Sequence, residues 1–181
     1  MAATERGTTA LADASEALDR AFAGVRVKAG KGVPHAREVA AVLKDAGCDE
    51  PVQVAGLLHD VVEDTSWTAG DVVEGFGGAV GALVAAVTED KRISSYRRRK
   101  KLLRAQIAAA GPAAIDIALA DKIASLHYAL SSGKRIAQRK VAHYQATVAV
   151  GASAAHPELR AEAGRLLAEV AERDGRVLAT I

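Results

Sequence analysis

Leu57-Leu58-His59-Asp60-Val61-Val62-Glu63-Asp64-Thr65 places four ionisable side chains in six positions, directly after an apolar run. If the segment is helical, residues four apart share a face. Glu63 then lies one turn beyond His59, and Asp64 one turn beyond Asp60. An imidazole and a carboxylate can hold a metal ion while the next turn presents two carboxylates to water, the equipment of a metal-assisted hydrolase. A solvated helix end is the plainer reading. It is disfavoured because acids at a helix C-terminus oppose the macrodipole, which prefers cations there.

Two further stretches offer groups that could complete such a site. His35 opens an apolar-periodic run in Val33-Pro34-His35-Ala36-Arg37-Glu38-Val39-Ala40. Asp121 follows a small, apolar run in Ile117-Ala118-Leu119-Ala120-Asp121-Lys122-Ile123. A buried carboxylate needs a counter-charge, and Lys122, being adjacent on a helix, points elsewhere. His35, His59, Asp60 and Asp121 together supply two nitrogens and two oxygens to one ion, leaving room for water and a substrate oxygen. Zinc would favour four-coordination; a six-coordinate manganese site suits the same mixed set. The other three histidines, His127, His143 and His156, lack the spacing of a second ligand set, so one ion is expected. His127 and His143 read as packing or surface residues able to line a pocket, and His156, before Pro157, reads as structural.

The order His … His-Asp … Asp resembles that of the HD phosphohydrolases. The longer form at 59–65 is similar to the hydrolase domain of the RelA/SpoT alarmone enzymes, above all their stand-alone small hydrolases of the metazoan SpoT homologue type. Phe76-Gly77, Leu83-Val84, Val87-Thr88-Glu89-Asp90-Lys91, Leu119-Ala120-Asp121-Lys122 and Tyr144 agree with that pattern, and the similarity runs from about residue 17 to about 170. The resemblance implies manganese, with Glu63 and Asp64 as the catalytic acids that orient or deprotonate water and shuttle a proton. It implies cleavage of the 3′-pyrophosphate of guanosine tetra- or pentaphosphate to GDP or GTP and pyrophosphate. It also sets Lys91 near the phosphates, Lys122 beside the metal ligand, and Ser125 where the family has a ribose-contacting asparagine. Lys140 and Tyr144, four apart on one helix face, could hold a phosphate together.

The departures bear on substrate. Ala36 follows the first histidine where the family has proline, and 25–33 lacks the family's Arg-Lys pair and tyrosine, though Arg26, Lys28 or Lys31 could substitute. A related hydrolase acting on another 2′- or 3′-phosphorylated nucleotide, such as NADPH, is therefore the second reading, and a non-catalytic nucleotide sensor the third. The chain leaves no room for a synthetase domain, so degradation alone is expected.

Bulk composition fits one such domain. The chain has 181 residues, half of them hydrophobic but only 3% aromatic, so the core must be built from Ala, Val, Leu and Ile. A net charge of +2 gives no argument for nucleic acid. Within Arg97-Arg98-Arg99-Lys100-Lys101 one or two side chains can reach a pocket, the rest being a solvated face. The single Cys48 excludes an intrachain disulfide and a cysteine-rich zinc site, and fits a reducing cytoplasm. No signal peptide is read at the N-terminus, and no membrane span is expected.

Helices are predicted at Ala14 to about Val25, His35–Ala46, Pro51 to about Glu63, Thr68 to about Gly77, Gly78–Thr88, Tyr96–Ala110, Ala113 to about Leu130, Ile136–Ala152 and Pro157 to about Arg173. No alternating strand pattern is present. The expected fold is all-α: a flexible tail at 1–12, then a single HD-type helical bundle of about eight to ten helices over 13–181. The Ala-rich terminal helices could pair between subunits into a homo-oligomer.

Overall fold

The computed structural model describes residues 10–179. The described residues form nine α-helices and no strand. They are α1 (Ala10–Phe22), α2 (Val33–Asp45), α3 (Glu50–Leu58), α4 (Val61–Asp64), α5 (Ala69–Val87), α6 (Tyr96–Ala110), α7 (Pro112–Ser132), α8 (Gln138–Val150) and α9 (Pro157–Asp174), with a 3-10 turn at Gly151–Ser153 before α9. The expected all-α bundle is present. Of the expected tail, residues 1–9 lie outside the described residues, whereas residues 10–12 belong to the first turn of α1.

Helix α7 is the axis of the bundle. It is apolar around most of its circumference, as a helix must be when neighbours surround it. Ala114, Ile117, Leu119, Ala120, Ala124 and Leu126 are all fully buried. It packs against α2, α3, α5, α6, α8 and α9. The small alanines let these neighbours approach closely, and Val, Leu and Ile fill the remaining space: Leu18, Leu43, Leu58, Val39 and Val84 are completely enclosed. The scarcity of aromatic residues is thus met by close helix packing rather than by large rings.

Two local breaks shape the site. The helix expected from Pro51 to Glu63 is two helices, interrupted at His59-Asp60. The physical reason is visible in the ring of His59, whose Nδ1 lies 2.8 Å from the Gly56 carbonyl oxygen, a group the continuing helix would otherwise use. The chain restarts at once. The Asp60 carbonyl accepts from the backbone N–H of Asp64 at 2.9 Å, so Asp64 does sit one turn beyond Asp60. The second break is at Gly77 within α5, whose φ of 84° is left-handed and natural only for glycine. The two helices expected on either side of it are therefore the two arms of α5. Thr68 and Asp71 form a reciprocal capping box at its start, as expected.

By length and hydropathy α5 could cross a membrane. It also carries Asp71 and Glu74, is broken at Gly77, and packs Val72, Val80 and Val84 into the core.

Candidate active site

Three elements converge on one point. Helix α2 presents His35 from within its first turn, where Pro34 occupies a position that needs no N–H. The α3–α4 break presents His59 and Asp60, and the middle of α7 presents Asp121. Ligand atoms of His35, His59 and Asp121 all lie within 4.8 Å of one another. Asp60 stands beside this trio and outside its mutual 4.8 Å range, with Oδ1 3.3 Å from His59 Nε2. Both imidazoles are 4% exposed, and their rings meet edge-on with centroids 5.4 Å apart.

This donor set fits a divalent cation. His59 Nδ1 is tied to the Gly56 carbonyl, which fixes that nitrogen as a donor and turns Nε2 into the cluster, facing Asp60 Oδ1. That Nε2 is buried and makes no hydrogen bond. An imidazole held by one nitrogen on a backbone carbonyl, with the other facing carboxylates, is the usual arrangement of a metal-ligating histidine. His35 Nε2 lies 3.0 Å from Asp121 Oδ1. The ammonium of Lys31 stands as a cation beside the cluster, 3.0 Å from Asp60 Oδ2, 3.4 Å from His35 Nε2 and 3.8 Å from Asp121 Oδ1.

Electrostatics follow from this crowding. Burial opposes charge on Asp60, but His59 and Lys31 outweigh it and hold the carboxyl below its ordinary range. Burial likewise opposes charge on Asp121, and Lys122, Lys31 and His35 reverse the effect. Glu63 behaves differently: burial, reinforced by Asp60 and Glu89, pushes its carboxyl up to about 7 against the backbone N–H of Glu89, which donates to Oε1 at 2.8 Å. Glu63 and Asp64 are both half-buried on α4. Lys91 reaches across to them, bonding the Glu63 carbonyl and lying 3.2 Å from Asp64 Oδ1.

The cluster floors a cleft of about 640 Å³. Every residue expected from the sequence to bind substrate lines it: Lys91, Lys122, Ser125, Lys140 and Tyr144. Lys122, expected to point away from Asp121, instead curls back along the helix to bond it, and the buried ammonium lies 5.3 Å from the centre of the Tyr144 ring. Ser125 Oγ is directed at Asp121 Oδ1, 3.4 Å away. Of the basic run, Arg99 and Lys100 reach the cleft, both ion-paired to Glu89 at 3.2 and 2.7 Å. Of the three alternatives in the preceding loop, Lys31 is the one that reaches the ligand cluster. Gly30 lets it do so, since a Cβ there would sit 2.4 Å from the Tyr128 ring.

His143 also lines the cleft, as the sequence reading allowed without giving it a role. Burial, then Lys122, Lys100 and Arg104, push it down to about 2, so it stays neutral. Its Nδ1 accepts from Arg104 at 2.8 Å, which leaves Nε2 as the proton-bearing nitrogen. Nothing in the local sequence signals this; the pairing joins α6 to α8.

Comparison with known proteins agrees with the geometry. Residues 14–175 match the HD domain family. The chain is 42% identical over 96 residues to the guanosine-3′,5′-bis(diphosphate) 3′-pyrophosphohydrolase MESH1 of Drosophila melanogaster, a match spanning 52% of this chain and 53% of that protein. It is 37% identical over 121 residues to the human MESH1, covering 64% of this chain and 67% of that one. The chain thus spans about half the length of the Drosophila relative. Among solved structures, it superimposes with a TM-score of 0.72 and 27% identity on one described as "A metazoan ortholog of SpoT hydrolyzes ppGpp and plays a role in starvation responses", covering 96% of this chain and all of that one. It also matches lmo0812 from Listeria monocytogenes, with a TM-score of 0.67 and 34% identity over 78% of this chain and 99% of that one. A helical bundle that gathers His35, His59-Asp60 and Asp121 at one point, matched along nearly its whole length, makes this chain a member of the HD domain family.

Proposed function

We propose that the protein hydrolyses the 3′-pyrophosphate of guanosine tetra- or pentaphosphate, releasing GDP or GTP and pyrophosphate, with manganese as its ion. The observation that carries this reading is the buried Nε2 of His59, enclosed by His35, Asp60 and Asp121 at the floor of a cationic cleft, with Glu63 and Asp64 on the next turn. The names of the MESH1 relatives support the same substrate.

His35, His59, Asp60 and Asp121 would hold the ion. When bound, a divalent cation supplies Lewis-acid polarisation of a phosphoryl group and makes nearby water more acidic. The chain's own residues do the rest. Lys91, Lys122 and Lys140 neutralise the phosphates, and Tyr144, packed on Lys122, fixes that ammonium's position. Glu63 is poised near neutrality and is the residue suited to take a proton from attacking water. Asp64, held by Lys91, orients the water or returns a proton to the leaving 3′ oxygen. His143, neutral and held by Arg104 at Nδ1, is a further polar group in the cleft lining.

One observation favours the second substrate class. Ser125 is directed at Asp121 instead of standing free, so the ribose is read by a shorter group already engaged elsewhere. A nucleotide with a plain 2′- or 3′-phosphate, such as NADPH, demands less of that position. The test is a manganese-supplemented assay with guanosine tetraphosphate, following GDP, with Asp64→Asn as the blank. Release of GDP and pyrophosphate, lost in the variant, supports the alarmone reading. Phosphate release from NADPH with no GDP from the alarmone would replace it with the second.

A further inference from the structure

Away from the cleft, a second trio of donor groups meets where α2, α7 and α9 come together. Cys48 lies in the turn after α2, Asp116 in the second turn of α7, and His156 at the N-cap of α9. Cys48 Sγ is 3.4 Å from His156 Nδ1, and Asp116 Oδ2 is 2.8 Å from the same nitrogen. All three ligand atoms lie within 4.8 Å of one another. Cys48 is 4% and Asp116 1% exposed, while the His156 ring reaches the surface and leaves an approach from solvent.

The arrangement is wrong for a nucleophilic triad. There the imidazole relays a proton by using one nitrogen for the thiol and the other for the carboxylate. Here both neighbours face Nδ1, so no relay through the ring exists. Three donors directed at a common point is instead the geometry of coordination. Bonds of roughly 2.0–2.3 Å to a tetrahedral ion set neighbouring ligand atoms roughly 3.3–3.7 Å apart. The Cys48–His156 separation falls in that range, whereas Asp116 Oδ2, at the hydrogen-bond distance of 2.8 Å from the same nitrogen, would have to move outward to share an ion with it.

The surroundings point the same way. Asp49 and Glu158 add negative charge around Cys48, and among the described residues no lysine or arginine forms an ion pair with Asp116, Asp49 or Glu158. Within the cluster, Asp116 forms its ion pair with His156. We propose that Cys48, Asp116 and His156 form a second metal site, separate from the catalytic cleft, that takes zinc or an equally thiophilic divalent ion and leaves a fourth position to water. The thiolate makes it select a softer ion than the nitrogen and oxygen set of the cleft.

Cobalt titration of the metal-stripped full chain tests this. The chain has one cysteine, so any thiolate-to-cobalt charge-transfer absorption must arise from Cys48. The expected result is a band that saturates, survives His59→Ala, is bleached by zinc and disappears in His156→Ala. Zinc stoichiometry should fall from two equivalents to one in Cys48→Ser. Cobalt binding by the wild-type chain with no such band overturns the proposal, as does a band that persists unchanged in both His156→Ala and Asp116→Asn. The trio would then be a hydrogen-bonded joint that fastens the start of α9 to α7.

Discussion

Helix α7 sends one carboxylate to each of two clusters, Asp116 buried and Asp121 half-buried, and the two are handled in opposite ways. Asp121 enters a cleft crowded with cations, where Lys31 and Lys122 pull it well below the ordinary carboxylate range. Asp116, five residues earlier, is bonded by the backbone N–H and the ring of His156, with the Cys48 thiol close by. In the cleft, the cationic walls suit a polyphosphate as well as an ion. In the second cluster no lysine or arginine among the described residues pairs with Asp116, and a metal cation would come from solution. The lesson is that a buried carboxylate is uninformative by itself. What faces it decides whether the site is built for a substrate or for a fixed ion.

The largest expected effect sharpens the contrast on the cleft side. His59→Ala or Asp121→Asn should abolish hydrolysis and weaken manganese binding, measured by calorimetry, by more than the roughly 10–100-fold typical of losing a ligand's supporting group. Cobalt absorption from Cys48 should be untouched. Next, Asp64→Asn should retain metal affinity while kcat falls roughly 10²–10⁴-fold; full activity would remove Asp64 from the chemistry.

Glu63 offers a pH test. Its folded carboxyl stands near 7, above its unfolded value, so folding favours the protonated form. Its contribution to stability is therefore fully present below the unfolded value and is lost as pH rises through about 7. Urea titrations of the metal-free protein should show this loss in the wild type and not in Glu63→Gln. Activity should rise over the same window, as Glu63 becomes able to accept a proton.

A smaller effect concerns Lys31. Lys31→Met leaves Asp60 and Asp121 to repel each other in the metal-free protein. The side chain is partly exposed, which limits the loss to on the order of 1 kcal/mol, or about 2–4 °C in Tm for a chain of this size. Added manganese should restore the stability and bind more tightly than to the wild type. Weaker binding would show that Lys31 supports the ion instead of standing in its place. Smallest in consequence for either cluster, Thr68→Ala should cost about 1 kcal/mol through the lost cap of α5 and leave both metal titrations unchanged.

Much of the cleft was readable in the sequence because its donors sit in short motifs. His59-Asp60 and Glu63-Asp64 are neighbours, and Asp121 stands out as a charge in an apolar helix. Helix limits set by proline, glycine and caps were also legible: α6 spans Tyr96–Ala110 as predicted. The break between α3 and α4 was not, because it depends on a side-chain bond from His59 to the Gly56 carbonyl. Lys31 could be offered only as one of three loop residues, since its place depends on how the loop passes Tyr128. His143 and Arg104 meet across two helices with no local signal. The second cluster was least legible of all. Cys48, Asp116 and His156 come from distant parts of the chain and obey no ligand spacing, so only tertiary packing brings them together.

Anomalous diffraction at the manganese edge, from crystals grown with manganese, would address the central claim most directly. The account predicts a single strong peak bounded by His35, His59, Asp60 and Asp121, with the Lys31 ammonium moved away from Asp60. A peak at Cys48 and His156, with Lys31 still seated beside an empty catalytic cluster, would contradict it.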